Sequence, residues 1–132
     1  MVLVKARVCL KGVRKIYSST ALVDTGARMS LLDKLLAHRL GVEYTGRELS
    51  FIPVSGHRLK ASEAIIPHIE VDDVKLKSEV VAVVRLPEDV KKVLRDNGLD
   101  DNFIVGLLTL ERANLVPDTT RGILKKTEAF VI

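Results

Sequence analysis

The sequence predicts a mostly β fold with two or three short helices, organised as a single domain over residues 1-132. Three observations carry this reading. Apolar and charged residues alternate at the N-terminal end, aliphatic runs in mid-chain are bounded by turn residues, and the helix-like stretches are short. Composition agrees: hydrophobic residues make up 47% of the chain and aromatic residues only 4%, so the core has to be aliphatic. Val, Leu and Ile fill such a β-rich core well. The 132 residues give enough chain for one modest core.

Val2, Val4, Ala6, Val8 and Leu10 fall on one side of a period-two pattern, with Lys5, Arg7 and Lys11 opposite. This predicts a half-exposed strand. Gly12 can turn the chain, and Ile16 to Val23 returns as a second strand that delivers Asp24. A helix is expected from Ser30, with Asp33 three residues later as a near capping box. Leu31, Leu32, Leu35, Leu36 and Leu40 would make its apolar face, and Gly41 its stop. From Glu48 to Val84 the pattern reads strand, turn, strand, with turns at Ser55-Gly56 and Asp72-Asp73. Pro87 opens a helical stretch from Glu88 to Asp96, closed by Asn97-Gly98. Phe103 to Val105 reads as a short strand, Leu107 to Ala113 as a helix, and Gly122 to Ile132 as one or two strands.

The formal charge of +4 permits nucleic-acid contact without implying it. Lys and Arg are spread along the chain, and the three Phe and two Tyr leave little for base stacking. With no Gly-rich phosphate loop and no Cys/His metal spacing, neither a nucleic-acid partner nor a metal or other cofactor is expected. The single Cys9 cannot form an internal disulfide, which suits a reducing compartment. The first residues alternate instead of forming a signal-peptide core, and no apolar run reaches membrane-spanning length. A soluble cytoplasmic protein without a membrane partner is the expectation.

The segment Ala21-Leu22-Val23-Asp24-Thr25-Gly26-Ala27 carries the chemistry. It sets one carboxylate at the end of an apolar run, where a charge needs hydrogen bonds. Gly26 allows a backbone approach that a larger residue would obstruct. Such an acid is either a turn residue bonded to its own backbone or a reactive group. The block resembles the active-site loop of aspartic proteases of the retroviral, or retropepsin, type. Ile104-Val105-Gly106 is similar to the later strand and glycine of that family, and Phe51 to Arg58 is similar to its glycine-tipped flap hairpin. The resemblance spans most of the chain.

The resemblance implies a closed β-barrel, peptide hydrolysis and a homodimer in which each subunit supplies one Asp, since only one Asp-Thr/Ser-Gly is present. Such a site lies on a two-fold axis with an isologous interface. It implies that Asp24 and its copy hold a water and share a proton. Thr25 would bond across the axis, Gly26 would let backbone groups reach the carboxylate and substrate, and Ala27 would form a small wall. Ser55, Gly56 and His57 would meet substrate from the flap, and Ile104, Val105 and Gly106 would pack beneath the loop. The apolar ends Val2-Leu3-Val4 and Phe130-Val131-Ile132 would contribute to the dimer interface. No cofactor or metal is implied, and the partners are a second copy and a peptide or protein substrate.

The chain departs from the viral pattern in two places. Viral members carry an acid directly after the loop and an Arg directly after the later glycine, and the two pair; here Arg28 and Leu107 stand instead. Arg28 therefore puts a cation where that family binds substrate backbone. Leu86 to Asp101 is longer than its viral counterpart and suggests an added helix. The alternative function is a dimeric binding or scaffold domain of the same fold without proteolysis.

Overall fold

The N-terminal alternation becomes β1 (Lys5–Lys11), which pairs antiparallel with β2 (Ile16–Val23). The structure, a computed structural model, describes residues 2–51 and 58–127. Val4, Ala6, Val8 and Leu10 are buried while Lys5 and Arg7 face solvent, as period-two spacing requires. The chain continues through β3 (Leu31–Asp33), α1 (Lys34–Leu40), β4 (Glu43–Phe51), β5 (Leu59–Val71) and β6 (Val74–Val84). Then follow α2 (Glu88–Asp96), β7 (Phe103–Val105), α3 (Leu107–Ala113) and a separate hairpin of β8 (Leu115–Asp118) with β9 (Ile123–Lys126).

Six strands close on themselves in the order β1-β2-β7-β3-β6-β5, and β5 returns to β1 by pairing His68–Val71 with Val8–Lys11. The barrel is mixed: β7 lies parallel to β2 and β3 parallel to β6, while the remaining pairs are antiparallel. β5 is long enough to use one edge twice. Its C-terminal end meets β1, and Leu59 to Ile65 meets β4. Among the described residues β4 is hydrogen-bonded to the barrel only through β5. Residues 52–57, including the expected flap tip Ser55, Gly56 and His57, lie outside the described residues, as do Phe130, Val131 and Ile132.

Val8, Leu10, Leu32, Ile66, Ile69, Val81 and Phe103 fill the barrel, which Leu36 and Leu40 of α1 and Leu110 of α3 close off. A second cluster occupies the other face of the same strands. There Ala82, Val84 and Ile104 pack with Ala61 and with Leu86, Leu94 and Leu99 around α2. α2 is the helix expected from Pro87 onward, with Pro87 at its N-cap and Asn97 at its C-cap. No helix among the described residues is long and apolar enough to cross a membrane.

Three expectations are corrected. The helix expected from Ser30 starts at Lys34, because Asp33 itself is the N-cap: its side chain accepts the Leu35 N–H at 3.2 Å. Leu31 to Asp33 instead forms β3, wedged between β6 and β7. Burial then follows Leu36, Ala37 and Leu40, and Leu35 is exposed. Gly41 ends the helix at φ 75°, as expected. Second, β4 begins at Glu43 rather than Glu48, its ladder with β5 interrupted between Tyr44 and Glu48 around Gly46 at φ 87°. Third, β8 lies in a stretch for which no strand was expected, where Pro117 weakens the sequence signal.

β5 and β6 share an irregularity that matters for the site. Along β6, Val74 and Leu76 pack on the barrel core, but further on it is Glu79, Val81 and Val83 that point inward. The phase changes at Ser78, a non-glycine residue at φ 55°. β5 changes phase at the same level, between Ile66 and Ile69, across Pro67. Because both strands gain one residue together, their register is the same on either side. The outcome for a polar residue is unusual: Glu79 is turned into the interior, with 1% of its surface exposed.

Candidate active site

The strand β2 ends at Val23 and delivers Asp24 to an exposed loop. The loop is fixed by backbone bonds to the β7–α3 junction. The Asp24 N–H donates to the Val105 carbonyl at 2.9 Å, the Leu107 N–H to the Ala27 carbonyl at 2.8 Å, and the Leu108 N–H to the Arg28 carbonyl at 2.9 Å. Within the loop, the Ala27 N–H donates to the Asp24 carbonyl at 3.1 Å. The Asp24 carboxylate accepts the Gly26 N–H through Oδ1 at 2.9 Å. Its Oδ2 has no partner among the described residues.

Gly106 is the tightest point of this construction. A Cβ there would lie 2.4 Å from the carbonyl carbon and oxygen of Met29 and 2.7 Å from the Ser30 nitrogen. Backbone atoms cannot step aside as a flexible side chain can, so glycine is what allows the junction to sit against the loop. The pairing Leu22↔Ile104, Val23↔Val105 brings Ile104 and Val105 alongside the strand that delivers Asp24. Ile104 and Val105 thus flank Leu22 and Val23, and Gly106 sits against Met29 and Ser30.

Beneath the loop runs a buried polar chain. The Gly106 N–H donates to Ser30 Oγ at 2.9 Å, Ser30 Oγ lies 2.6 Å from Thr109 Oγ1, and Thr109 Oγ1 donates to Glu79 Oε2 at 2.5 Å. Glu79 Oε1 meets the guanidinium of Arg112, which also donates to the carbonyls of Lys77 and Ser78. Ser30, Thr109 and Glu79 are buried and each has its hydrogen-bond partners. Nothing in the local sequence marks them. Glu79 heads an apolar run, Thr109 sits within a helix, and Ser30 falls where the sequence predicts a helix start.

The loop borders the second hydrophobic cluster. Leu22 and Met29 flank Asp24 in the chain, and together with Leu31 and with Leu49 and Phe51 of the β4–β5 hairpin they lie half-buried against Ala82, Val84 and Ile104. An apolar wall therefore runs from the loop toward the hairpin. α2 backs it, held by a second buried carboxylate. Asp33 accepts the Leu86 N–H at 3.1 Å and pairs with the Lys91 ammonium at 3.3 Å. Tyr17 and Ser19 of β2 both donate to Asp100, fastening the segment after α2. Burial is the main reason the Tyr17 phenol titrates above its ordinary value.

Thr25 is exposed and makes no hydrogen bond among the described residues. Arg28 is exposed and forms no ion pair among them, and the apolar Leu107 is exposed too, so neither residue replaces the ion pair of the viral pattern. Val2 and Leu3 are exposed, as are Leu107 and Leu108 at the start of α3. The described residues hold no group of three His, Cys, Asp or Glu side chains arranged to bind a metal.

A family model described as aspartyl protease matches residues 6–111. The fold is similar to the retroviral protease-like domain of Ddi1 from Leishmania major, with a TM-score of 0.58 at 17% identity over 98% of this chain and 91% of that one. It is also similar to a retropepsin-like aspartic protease from Rickettsia conorii, with a TM-score of 0.54 at 20% identity over 88% of this chain and 84% of that one. Among curated proteins none matches.

Proposed function

This chain belongs to the aspartyl protease family, and on that premise we propose that it is an aspartic endopeptidase that works as a homodimer. The observation that carries the reading is the presentation of Asp24: an exposed carboxylate on a loop held by backbone bonds at both ends, with one oxygen fixed by Gly26. One such carboxylate is half of the chemistry. A second copy supplies the other half across a two-fold axis. The exposed Thr25 hydroxyls bond across that axis, and Val2, Leu3, Leu107 and Leu108 bury their apolar surface there.

In the dimer the two Asp24 carboxylates hold one proton and one water between them. The ionised member takes a proton from the water as it attacks the scissile carbonyl, and the protonated member polarises the carbonyl oxygen. Ala27 gives the substrate room beside the loop, and the apolar wall takes its side chains. Arg28 favours an acidic group near the scissile bond and disfavours a basic one. Ser55, Gly56 and His57, as the resemblance implies, meet the substrate and limit the water that reaches it.

The test is cleavage of a peptide library from acid to neutral pH by the native chain and by Asp24→Asn. The native chain should work best at mildly acidic pH, where one carboxyl of the pair is protonated, with Asp or Glu enriched near the cut. Asp24→Asn keeps an acceptor for the Gly26 N–H but has no general base, so it should be inactive and still dimeric. Equal activity of the two proteins would overturn the mechanism. A well-formed dimer with no activity in either protein would assign the fold a binding or scaffold role.

A further inference from the structure

We propose that Glu79 is a positioning residue for the Asp24 loop, acting through Thr109 and Ser30 on the β7–α3 junction. The inference rests on the protease reading of that loop and adds a residue far from it in sequence.

The direction of the hydrogen bonds is fixed by counting donors. The Glu79 carboxylate, paired with Arg112, can only accept. Thr109 has one hydroxyl proton, and it goes to Glu79. Ser30 must then donate to Thr109, which leaves the Ser30 oxygen to accept from the Gly106 N–H. Every proton in the chain points toward Glu79. A one-way chain of this kind polarises along its length, and in a buried setting each member depends on the next. Without the carboxylate, Thr109 loses its acceptor, and the orientation of both hydroxyls is no longer specified.

The chain ends where the loop is held. Gly106 sits between Val105, which accepts from the Asp24 N–H, and Leu107, which donates to the Ala27 carbonyl. A shift of Gly106 therefore moves both anchors of Asp24 together. The anchor at the other end is itself built into the barrel. Opposite Pro67, which has no N–H to offer, Ser78 adopts φ 55°. This left-handed conformation is strained for a non-glycine residue. Arg112 binds the carbonyls of Lys77 and Ser78 on either side of the kink and the Glu79 carboxylate beyond it. A strained residue that turns an acid inward, a guanidinium that satisfies both, and a proton chain leading to the catalytic loop form one continuous arrangement.

The experiment compares Thr109→Val, Thr109→Ser, Glu79→Gln and Glu79→Ala with the native chain. Valine keeps the shape of threonine without the hydroxyl, whereas serine keeps the hydroxyl. Thr109→Val should lower kcat by about tenfold or more with KM within about threefold, because a misplaced reacting group affects the chemical step more than substrate binding. Thr109→Ser should restore most of kcat, and Glu79→Gln, which retains an acceptor, should keep more than Glu79→Ala. Thr109→Val with wild-type kcat, or Thr109→Ser as impaired as Thr109→Val, would overturn the proposal.

Amide hydrogen exchange gives a readout independent of activity. In Thr109→Val the amides of Asp24, Gly106, Leu107 and Leu108 should exchange faster relative to those of β1, which report the stability of the barrel as a whole. Failure of the protease reading would appear as an inactive native chain, and exchange would still decide the positioning role. Unchanged exchange at those four amides would refute it.

Discussion

At the scale of single residues, the molecule places its buried charges where they hold elements together. Asp33 and Lys91 are the clearest case, with 3% and 14% of their side-chain surfaces exposed. Removing one partner of such a pair leaves a charge without compensation, so Lys91→Met should lower unfolding stability by about 3–5 kcal/mol. The double variant Asp33→Asn with Lys91→Met should lose less than Lys91→Met alone: no orphan charge remains, and although asparagine can accept from the Leu86 N–H or the Leu35 N–H but not from both, a lost cap costs only about 1 kcal/mol. Urea unfolding of the three proteins measures this, and a double variant no better than the single would show that the loss comes from packing of the lysine stem. The Asp24-Thr25-Gly26 turn was legible because its geometry is set by its own neighbours. The sequence could not announce Ser30, Glu79 or Thr109. Their partners lie 79 and 30 positions away along the chain, and only the closed barrel brings them within hydrogen-bond reach.

At the scale of elements, the strands with strict alternation and the helices marked by Pro87 and Gly41 were legible, while the boundaries set by tertiary contact were not. Leu31-Leu32 suits a helix or a strand equally, and the gap between β6 and β7 decides in favour of the strand. The β8–β9 hairpin illustrates how an element with little core of its own is fastened. Lys125 pairs with Asp118 at 3.0 Å within it, and Lys126 reaches Asp73 in the β5–β6 turn at 2.9 Å. The hydrogen bonds from these lysines are the first cause that holds Asp118 and Asp73 below the ordinary value of 3.8. A carboxyl whose value is depressed in the folded state contributes stability above its unfolded value and loses it as pH falls through the folded one. The hairpin should therefore keep its hold above about pH 4 and loosen below it, ahead of the barrel. High salt at neutral pH should act in the same direction by screening these surface pairs. Amide exchange in Leu115 to Lys126, read against β1, measures both, and parallel changes in the two regions would contradict the prediction.

At the scale of the whole molecule, the expected assembly follows from the presence of one catalytic-type loop per chain. If each active site needs two, inactive chains should poison active ones. With equal amounts of native chain and Asp24→Asn allowed to exchange partners, activity should fall to about half, because a native chain meets a native partner half of the time. A site complete within one chain would keep its full activity in the same mixture. The closed barrel has a further consequence, which concerns time rather than space. β1 is made first, yet it finds β5 only after Val71 exists, and the gap between β2 and β3 waits for Phe103 to Val105. No shorter N-terminal fragment can complete the ring, so during synthesis the edges of β2 and β3 stay open until that late three-residue strand arrives. Distant pairings of this kind fold slowly and leave strand edges available for wrong partners. Chains arrested before Phe103 should accordingly be protease-sensitive and aggregation-prone, whereas chains carried past α3 should become resistant in one cooperative step.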